Sequence, residues 1–176
     1  LERMLEEDKI ESEVRRIGAE QEMAFVGKDW RPAPIGPEIL NDLDDPHFTA
    51  EIARFNLEFN LDPHTFETDA LSRMEQELKF YLDLVRKAAQ KYESEVVLIG
   101  ILPSIRKSDL TLDNMTPRER YFQLNDALTR IRGRNYQLDI KGTDELTVQH
   151  DSVMLEACNT SFQLHFQVDA REFPTM

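Results

Sequence analysis

Three segments of the chain alternate between apolar and polar residues, which is the pattern of a β-strand with one buried side. They are IGAEQEMAFV (17–26), RFNLEFNLDP (54–63) and TSFQLHFQVD (160–169). Successive side chains of a strand leave opposite faces of the sheet, so the second and third segments have a clean apolar side and a polar side. The first is less clean, because Ala24 and Val26 share the side of Glu20 and Glu22, opposite Met23 and Phe25. We therefore predict three strands whose apolar sides pack under helices.

Helices are predicted where apolar residues recur at every third or fourth position. The clearest helix runs from residue 71 to about residue 92, with Ser72 and Glu75 as a capping box. A second helix has Thr116 as its N-cap and ends at Gly133. Shorter helical segments are predicted at residues 1–16, 38–44 and 150–157.

Two further apolar segments complete the predicted fold. Residues 95–103 (EVVLIGILP) are almost fully apolar, as in a strand covered on both faces, and residues 135–142 (NYQLDIKG) form another strand. This mixture predicts an α+β fold, a curved and mostly antiparallel sheet with helices packed on one face. The length of 176 residues suits one domain. Because the chain stops shortly after the strand at 160–169, we expect it to be part of a longer protein with an incomplete sheet.

The net charge of the chain argues against two classes of partner. Its formal net charge is −13, and such a surface repels both nucleic-acid phosphates and anionic lipids. We therefore expect neither a nucleic-acid nor a membrane partner, and no apolar run approaches the roughly 20 residues of a membrane span. The one cysteine, Cys158, excludes a disulfide framework and a thiolate zinc site. A cytoplasmic location is the resulting expectation.

The polar sides of the three strands carry an unusual set of groups. The first has Glu20 and Glu22, the second has Glu58 between two asparagines, and the third has His165 between Gln163 and Gln167. If the strands share a sheet, these groups project from one surface. Carboxylates and imidazole are ligands for magnesium or manganese, and a cation removes the repulsion between neighbouring carboxylates. The alternative is an ordinary solvated sheet face, and the pattern alone leaves both open.

The same segments resemble a known enzyme family. GAEQEMAFV is similar to the opening strand of the glutamate–cysteine ligase family, which has the pattern G-x-E-x-E followed by apolar residues. EIARFNLEFN resembles its second strand, in which an acidic residue, here Glu51, precedes the acid of an E-F pair, here Glu58, by seven positions. TSFQLHFQVD is similar to a later strand with a histidine among apolar residues. The match is best to the bacterial carboxylate–amine ligase branch.

This resemblance implies a glutamine synthetase-like catalytic fold, of which residues 1–176 are the N-terminal portion. It implies an ATP- and Mg²⁺- or Mn²⁺-dependent ligase that phosphorylates a glutamate-like carboxylate and lets an amine displace the phosphate. Arg120 is then a catalytic candidate that contacts an anionic substrate or phosphate group. Gln163 and Gln167 are candidate cofactor-binding residues. The metal ligands carried over from the family are Glu20, Glu22, Glu51, Glu58 and His165.

Two other functions stay open at this point. The chain could be a non-catalytic binding or assembly module that retains the ligase sheet, or a metal-dependent hydrolase that uses the same carboxylates. An incomplete sheet also leaves an open edge, which favours pairing between copies of the chain and a homo-oligomer.

Overall fold

A computed structural model describes residues 2–7, 9–170 and 172–173 of the chain. The structure is a mixed α+β fold with an antiparallel sheet that is not closed, as the sequence predicts for the class. Its α-helices are α1 Glu2–Glu6, α2 Gly36–Leu43, α3 Ala70–Gln90 and α4 Glu119–Arg132. Its strands are β1 Arg16–Val26, β2 Phe48–Ala50, β3 Asn56–Asn60, β4 His64–Thr65, β5 Glu95–Val97, β6 Tyr136–Lys141, β7 Glu145–His150 and β8 Phe162–Phe166.

Strand β1 is the centre of the main sheet. It pairs antiparallel with β3, with β8 and, near its two ends, with β4 and β5. The short strand β2 extends the sheet by pairing with β3. The strands predicted around residues 17–26, 54–63 and 160–169 are therefore confirmed, and they share one sheet. The strand predicted at 135–142 is also confirmed, but β6 pairs only with β7 in a separate two-stranded hairpin.

Helices α2 and α3 cover the apolar side of β1 and β3. Met23, Phe25, Leu57 and Phe59 are fully buried there and belong to one core cluster with residues of both helices. Helix α2 approaches the sheet closely at Gly36, where an added Cβ would lie 2.7 Å from the backbone oxygen of Asn56. This packing matches the prediction of helices on one face of the sheet.

Helix α4 belongs to a second core cluster. Its Tyr121 packs with Phe55, Met115 and Met154, all of which are buried. The segment before α4 is joined to the connection between β2 and β3 by a bridge between Ala53 and Met115. The prediction that the helices lie together on one face therefore holds for α2 and α3, whereas α4 builds its own core.

The predicted helix boundaries differ from the structure where backbone groups find other partners. Of the helix predicted at 1–16, the described residues form a helix only in α1, and Arg16 already pairs with β4 as the start of β1; residues 1 and 8 lie outside the described residues. Helix α4 has Arg118 rather than Thr116 at its N-cap, since the Thr116 amide donates to the Ile52 carbonyl.

Two further helix predictions were wrong in detail. Helix α3 begins at Ala70, with Asp69 as its N-cap, so Ser72 and Glu75 lie inside the helix and do not cap it. The helix predicted at 150–157 is a single 3-10 turn, Val153–Leu155, in which the Ser152 side chain accepts from the Met154 amide.

Two predictions of buried apolar surface were wrong. The strand predicted at 95–103 is shortened to β5, and Leu98, Ile99 and Ile101 beyond it are 38–53% exposed. The apolar side of β8 is exposed as well, with Phe162, Leu164 and Phe166 at 47, 49 and 53%. Helix α3 packs mainly over β1, β4 and β5, which leaves this side of β8 largely uncovered. Across the described residues, no helix is both long and apolar enough to cross a membrane.

Candidate metal centre on the sheet

Strand register brings two glutamates face to face. Glu22 of β1 lies directly opposite Glu58 of β3, and Thr49 of β2 lies directly opposite Glu58 on its other side. Glu51 follows β2, two residues after Thr49. Like charges directly opposite one another destabilise an antiparallel pair. A pair of acids at this position is therefore unfavourable unless hydrogen bonds, a proton or a cation compensate the repulsion.

Glu22, Glu51 and Glu58 form a carboxylate cluster that we call the sheet triad. One carboxylate oxygen of each residue lies within 4.8 Å of the other two, and all three residues are partly buried. No lysine or arginine forms an ion pair with the sheet triad in the part of the chain that the structure describes. Oxygens around one magnesium or calcium ion are at most about 4.2–5.2 Å apart, so three carboxylate oxygens within 4.8 Å of one another are near enough to approach one cation.

Neighbouring polar groups orient two members of the sheet triad. The Oε1 atom of Glu58 accepts from the Thr49 hydroxyl at 3.0 Å and from the Asn60 amide at 2.8 Å. The Oε2 atom of Glu22 accepts from the backbone N–H and the hydroxyl of Ser161, at 2.7 and 3.1 Å. The second oxygen of each of these two carboxylates has fewer hydrogen-bond partners than the first. Such second partners fix the orientation of ligands around a metal.

Burial and repulsion act together on Glu51. Its partial burial, followed by the negative charges of Glu58 and Glu22, raises the pKa of this carboxyl from 4.5 to about 7. In the metal-free protein, the Glu51 carboxyl is therefore about half protonated near pH 7. A divalent cation would offset both causes, because it restores a favourable environment for the charged form.

The shifted pKa of Glu51 predicts a pH-dependent difference between the metal-free protein and Glu51→Gln. The folded protein holds this proton up to about pH 7, whereas the unfolded chain releases it near pH 4.5, so stability falls as pH rises between these values. The variant has no such titration. Its free energy of unfolding should gain about 1–3 kcal/mol over wild type between about pH 4 and pH 8.

Urea denaturation in EDTA at the two pH values measures this difference. Added Mg²⁺ should then stabilise wild type more than Glu51→Gln. Parallel pH profiles for the two proteins would show that Glu51 titrates normally in the fold.

Glu20 and His165 lie beside the sheet triad rather than within it. The His165 Nε2 atom is 3.0 Å from the Glu20 Oε1 atom; the His165 side chain is exposed, whereas Glu20 is partly buried like the triad. Glu20 leaves the same face of β1 as Glu22, and its partner in β8 is Gln163. Of the five predicted metal ligands, three thus form the sheet triad, and Glu20 and His165 contact each other beside it.

The remaining predicted residues are distributed around this face. Gln163 lies nearest, with its Nε2 atom 3.5 Å from Glu22 Oε1 and 3.1 Å from the Ser161 hydroxyl. Gln167 is engaged with Arg16 and Glu11 beyond the end of β8.

Arg120 makes its described contacts away from the three carboxylates. It lies over the Tyr121 ring and donates to the Tyr121 hydroxyl at 2.7 Å. That hydroxyl in turn donates to the carbonyl of Ala50, the residue before Glu51. Arg120 is therefore linked to the backbone that carries Glu51, without contact to its carboxylate.

Sequence analysis missed Thr49 and Ser161 as orienting groups. The alternation of Thr49 with Glu51 along the chain was the available signal for the first, and the start of the strand at Ser161 was the signal for the second.

Asn56 was recognised only as part of a polar side. It is 3% exposed, its amide nitrogen donates to the Ala157 carbonyl at 2.9 Å, and its Oδ1 atom has no partner. This buried oxygen, two residues from Glu58, is an exception to the usual pairing of buried polar groups.

Comparisons of the chain with protein-family models, with curated proteins and with solved structures find no match. What the face can bind therefore follows from its own chemistry. It offers three carboxylates, a nearby imidazole and amide oxygens, without a thiolate. This all-oxygen cluster suits a hard divalent cation such as Mg²⁺ or Mn²⁺.

Proposed function

We propose that this chain carries the metal-binding sheet of an ATP-dependent carboxylate–amine ligase with a glutamine synthetase-like catalytic fold. The observation that supports the proposal most is the sheet triad, three convergent carboxylates on a rigid antiparallel sheet. Phosphoryl transfer relies on cations and on positioning, with little covalent help from protein groups. A sheet lined with carboxylates meets that need without a glycine-rich phosphate loop.

The proposed reaction has two chemical steps. A glutamate-like carboxylate oxygen takes the γ-phosphoryl group of ATP, which gives an acyl phosphate and ADP. The amine nitrogen then attacks the acyl carbon, phosphate leaves and an amide remains. Mg²⁺ or Mn²⁺ held by the sheet triad supplies charge neutralisation for the phosphate oxygens.

The protein groups around the sheet triad have positioning and binding roles in this proposal. Thr49, Asn60 and Ser161 orient the carboxylates. Glu20 and His165 are proposed as additional metal ligands. Gln163, on the neighbouring strand β8, is proposed to contact the nucleotide. Arg120 and Gln167 are proposed to bind anionic or polar parts of ATP or the substrate.

The proposal is tested by ADP release from ATP in the presence of Mg²⁺, glutamate and a panel of amines. We expect release that requires the metal, the carboxylate and one of the amines together. Release that needs neither glutamate nor an amine, with free phosphate as its product, would instead indicate a metal-dependent hydrolase.

The exposed apolar side of β8 supports a second candidate function. Phe162, Leu164 and Phe166 are about half exposed, which is unusual for one contiguous side of a strand. A non-catalytic binding or assembly module, or a homo-oligomer, would use such a surface. Titration with Mn²⁺ and a non-hydrolysable ATP analogue separates the two functions. Equally negligible binding by wild type and Glu58→Gln would favour the module.

A further inference from the structure

A polar cavity lies between helix α4 and the end of β7. Its volume is about 690 Å³, which is within the range of about 300–1,000 Å³ that small-molecule sites occupy. Its walls are formed by residues 107–112, one face of α4, Asn135 and residues 149–152. None of these lining residues belongs to the sheet triad, so the cavity is a separate feature of the fold.

His150 forms a buried part of the cavity wall. Its side chain is only 5% exposed. Two donors of Ser152 face its Nδ1 atom, the backbone N–H at 3.2 Å and the hydroxyl at 3.3 Å. Although the Ser152 carbonyl is also 3.2 Å away, Nδ1 therefore accepts, and the proton of the neutral ring is on Nε2. This N–H has no partner among the described residues, and it is not one of their fully enclosed unpaired atoms, so it opens into the cavity.

Asn125 of α4 presents a second donor in the same way. It is 8% exposed, and its Oδ1 atom accepts from the Val153 backbone N–H at 3.1 Å, which fixes the orientation of the amide. The Nδ2 group then points away from that bond, again without a partner in the described chain and without being fully enclosed. Buried side chains rarely leave a donor unused. Two unused donors at one cavity therefore indicate a ligand with acceptor oxygens.

Charged groups at exposed positions surround the two donors. Lys107 supplies a positive charge and forms no ion pair within the described ranges. Asp126 and Asp151 supply two carboxylates, and the ion-pair contact of this pair in the same ranges is the 3.7 Å approach of Asp151 to His150 Nδ1. Lys107 and the buried donors favour a carboxylate on the ligand, whereas the two aspartates favour an ammonium group.

The rest of the lining narrows the ligand further. It has no aromatic ring on which a nucleobase could stack. Apart from two leucines, it consists of hydroxyl and amide side chains, which are Thr111, Thr129, Asn135, Gln149 and Ser152. These groups suit a small polar molecule.

We propose that this cavity binds a small zwitterion of the amino-acid class. The ligand carboxylate accepts from His150 Nε2, Asn125 Nδ2 and Lys107, and the ligand ammonium group donates to Asp126 or Asp151. Its binding joins α4 to the end of β7. The site does not depend on the proposed ligase activity, because the sheet triad contributes no residue to it.

Thermal unfolding with each of the standard L-amino acids, in EDTA and without ATP, tests this proposal. We expect at least one of them to raise Tm, and calorimetric titration to give one site per chain with a Kd of about 1 mM or tighter. The methyl ester and the N-acetyl derivative of that amino acid should each bind at least about tenfold more weakly. Amide chemical shifts should change on binding at residues 107–112, in α4 and at residues 149–152.

Matched variants locate the binding. Lys107→Gln, at an exposed position that leaves the fold intact, should lower the affinity about tenfold. Asn125→Asp keeps the acceptor for the Val153 N–H but replaces the donor with a negative charge, so it should lower the affinity about 30-fold or more. Lys141→Gln, an exposed lysine of β6 outside the cavity, and Glu58→Gln should both bind as wild type does.

Four results would each overturn the proposal. They are the absence of any amino acid that raises Tm, wild-type affinity in Lys107→Gln, equal binding of the methyl ester, and loss of binding in Glu58→Gln. The last would place the ligand at the sheet triad instead, so the cavity and the ligase proposal fail separately.

Discussion

Glu58→Gln is expected to lower Mn²⁺ affinity and metal-dependent ADP release by about 100-fold or more. The substitution keeps the size of the side chain and its acceptor for Thr49 and Asn60, so the strand pairing is preserved. It removes the charge that binds the cation. It also relieves the repulsion from Glu22 directly across the strands, so the metal-free variant should be at least as stable as wild type.

The combination of lost binding and retained stability distinguishes a metal ligand from a structural residue. Isothermal titration with Mn²⁺ and thermal unfolding in EDTA measure the two quantities on the same samples. Glu75→Gln, an exposed acid on α3, serves as the charge-matched control. Wild-type Mn²⁺ affinity in Glu58→Gln would remove the sheet triad as the metal site. A lower Tm without metal would mean that Glu58 is needed for the fold itself.

The strands that carry the sheet triad could be predicted from the sequence because their signal is local. Alternation with a period of two is visible within ten residues, and it placed Glu20 with Glu22 and Glu58 with its asparagines on one side of each strand. Their meeting across β1 and β3 depends on register, which alternation does not specify. The resemblance to a ligase family, rather than the pattern, brought in Glu51, which lies outside any strand.

The features that sequence analysis missed depend on contacts between distant segments. The Thr116 amide is bound by Ile52 in a bridge that no capping rule contains. The exposure of Phe162 depends on where α3 lies, and the strand pattern of residues 160–169 is the same whether or not a helix covers it. His47, Asp62 and Glu77 have ligand atoms within 4.8 Å of one another only because β2, β3 and α3 pack at one corner. In each case, tertiary contacts override the local preference of the sequence.

Phe59→Ala is expected to be the most destabilising of the substitutions proposed for this fold. Phe59 is fully buried on the covered side of β3, and its ring lies 6.0 Å from that of Phe48 and 5.7 Å from that of Tyr81. This aromatic group joins β2, β3 and α3. Phe59→Ala removes the ring and leaves a cavity between a sheet and a helix that cannot close around it. The expected loss is about 3–5 kcal/mol, a large share of the roughly 5–15 kcal/mol that stabilises a typical domain.

Phe162→Ala is the same chemical change on the exposed side of β8, so it isolates burial as the cause. Because Phe162 is 47% exposed, we expect its replacement to cost about 0.5 kcal/mol or less. Urea denaturation of both variants beside wild type, with the slope of unfolding against urea compared as well, gives the two losses. Equal losses would mean that the apolar side of β8 is covered in solution, by a second copy or by another segment. That outcome would favour the assembly module over the ligase, because the exposed apolar side of β8 would then be an occupied binding surface.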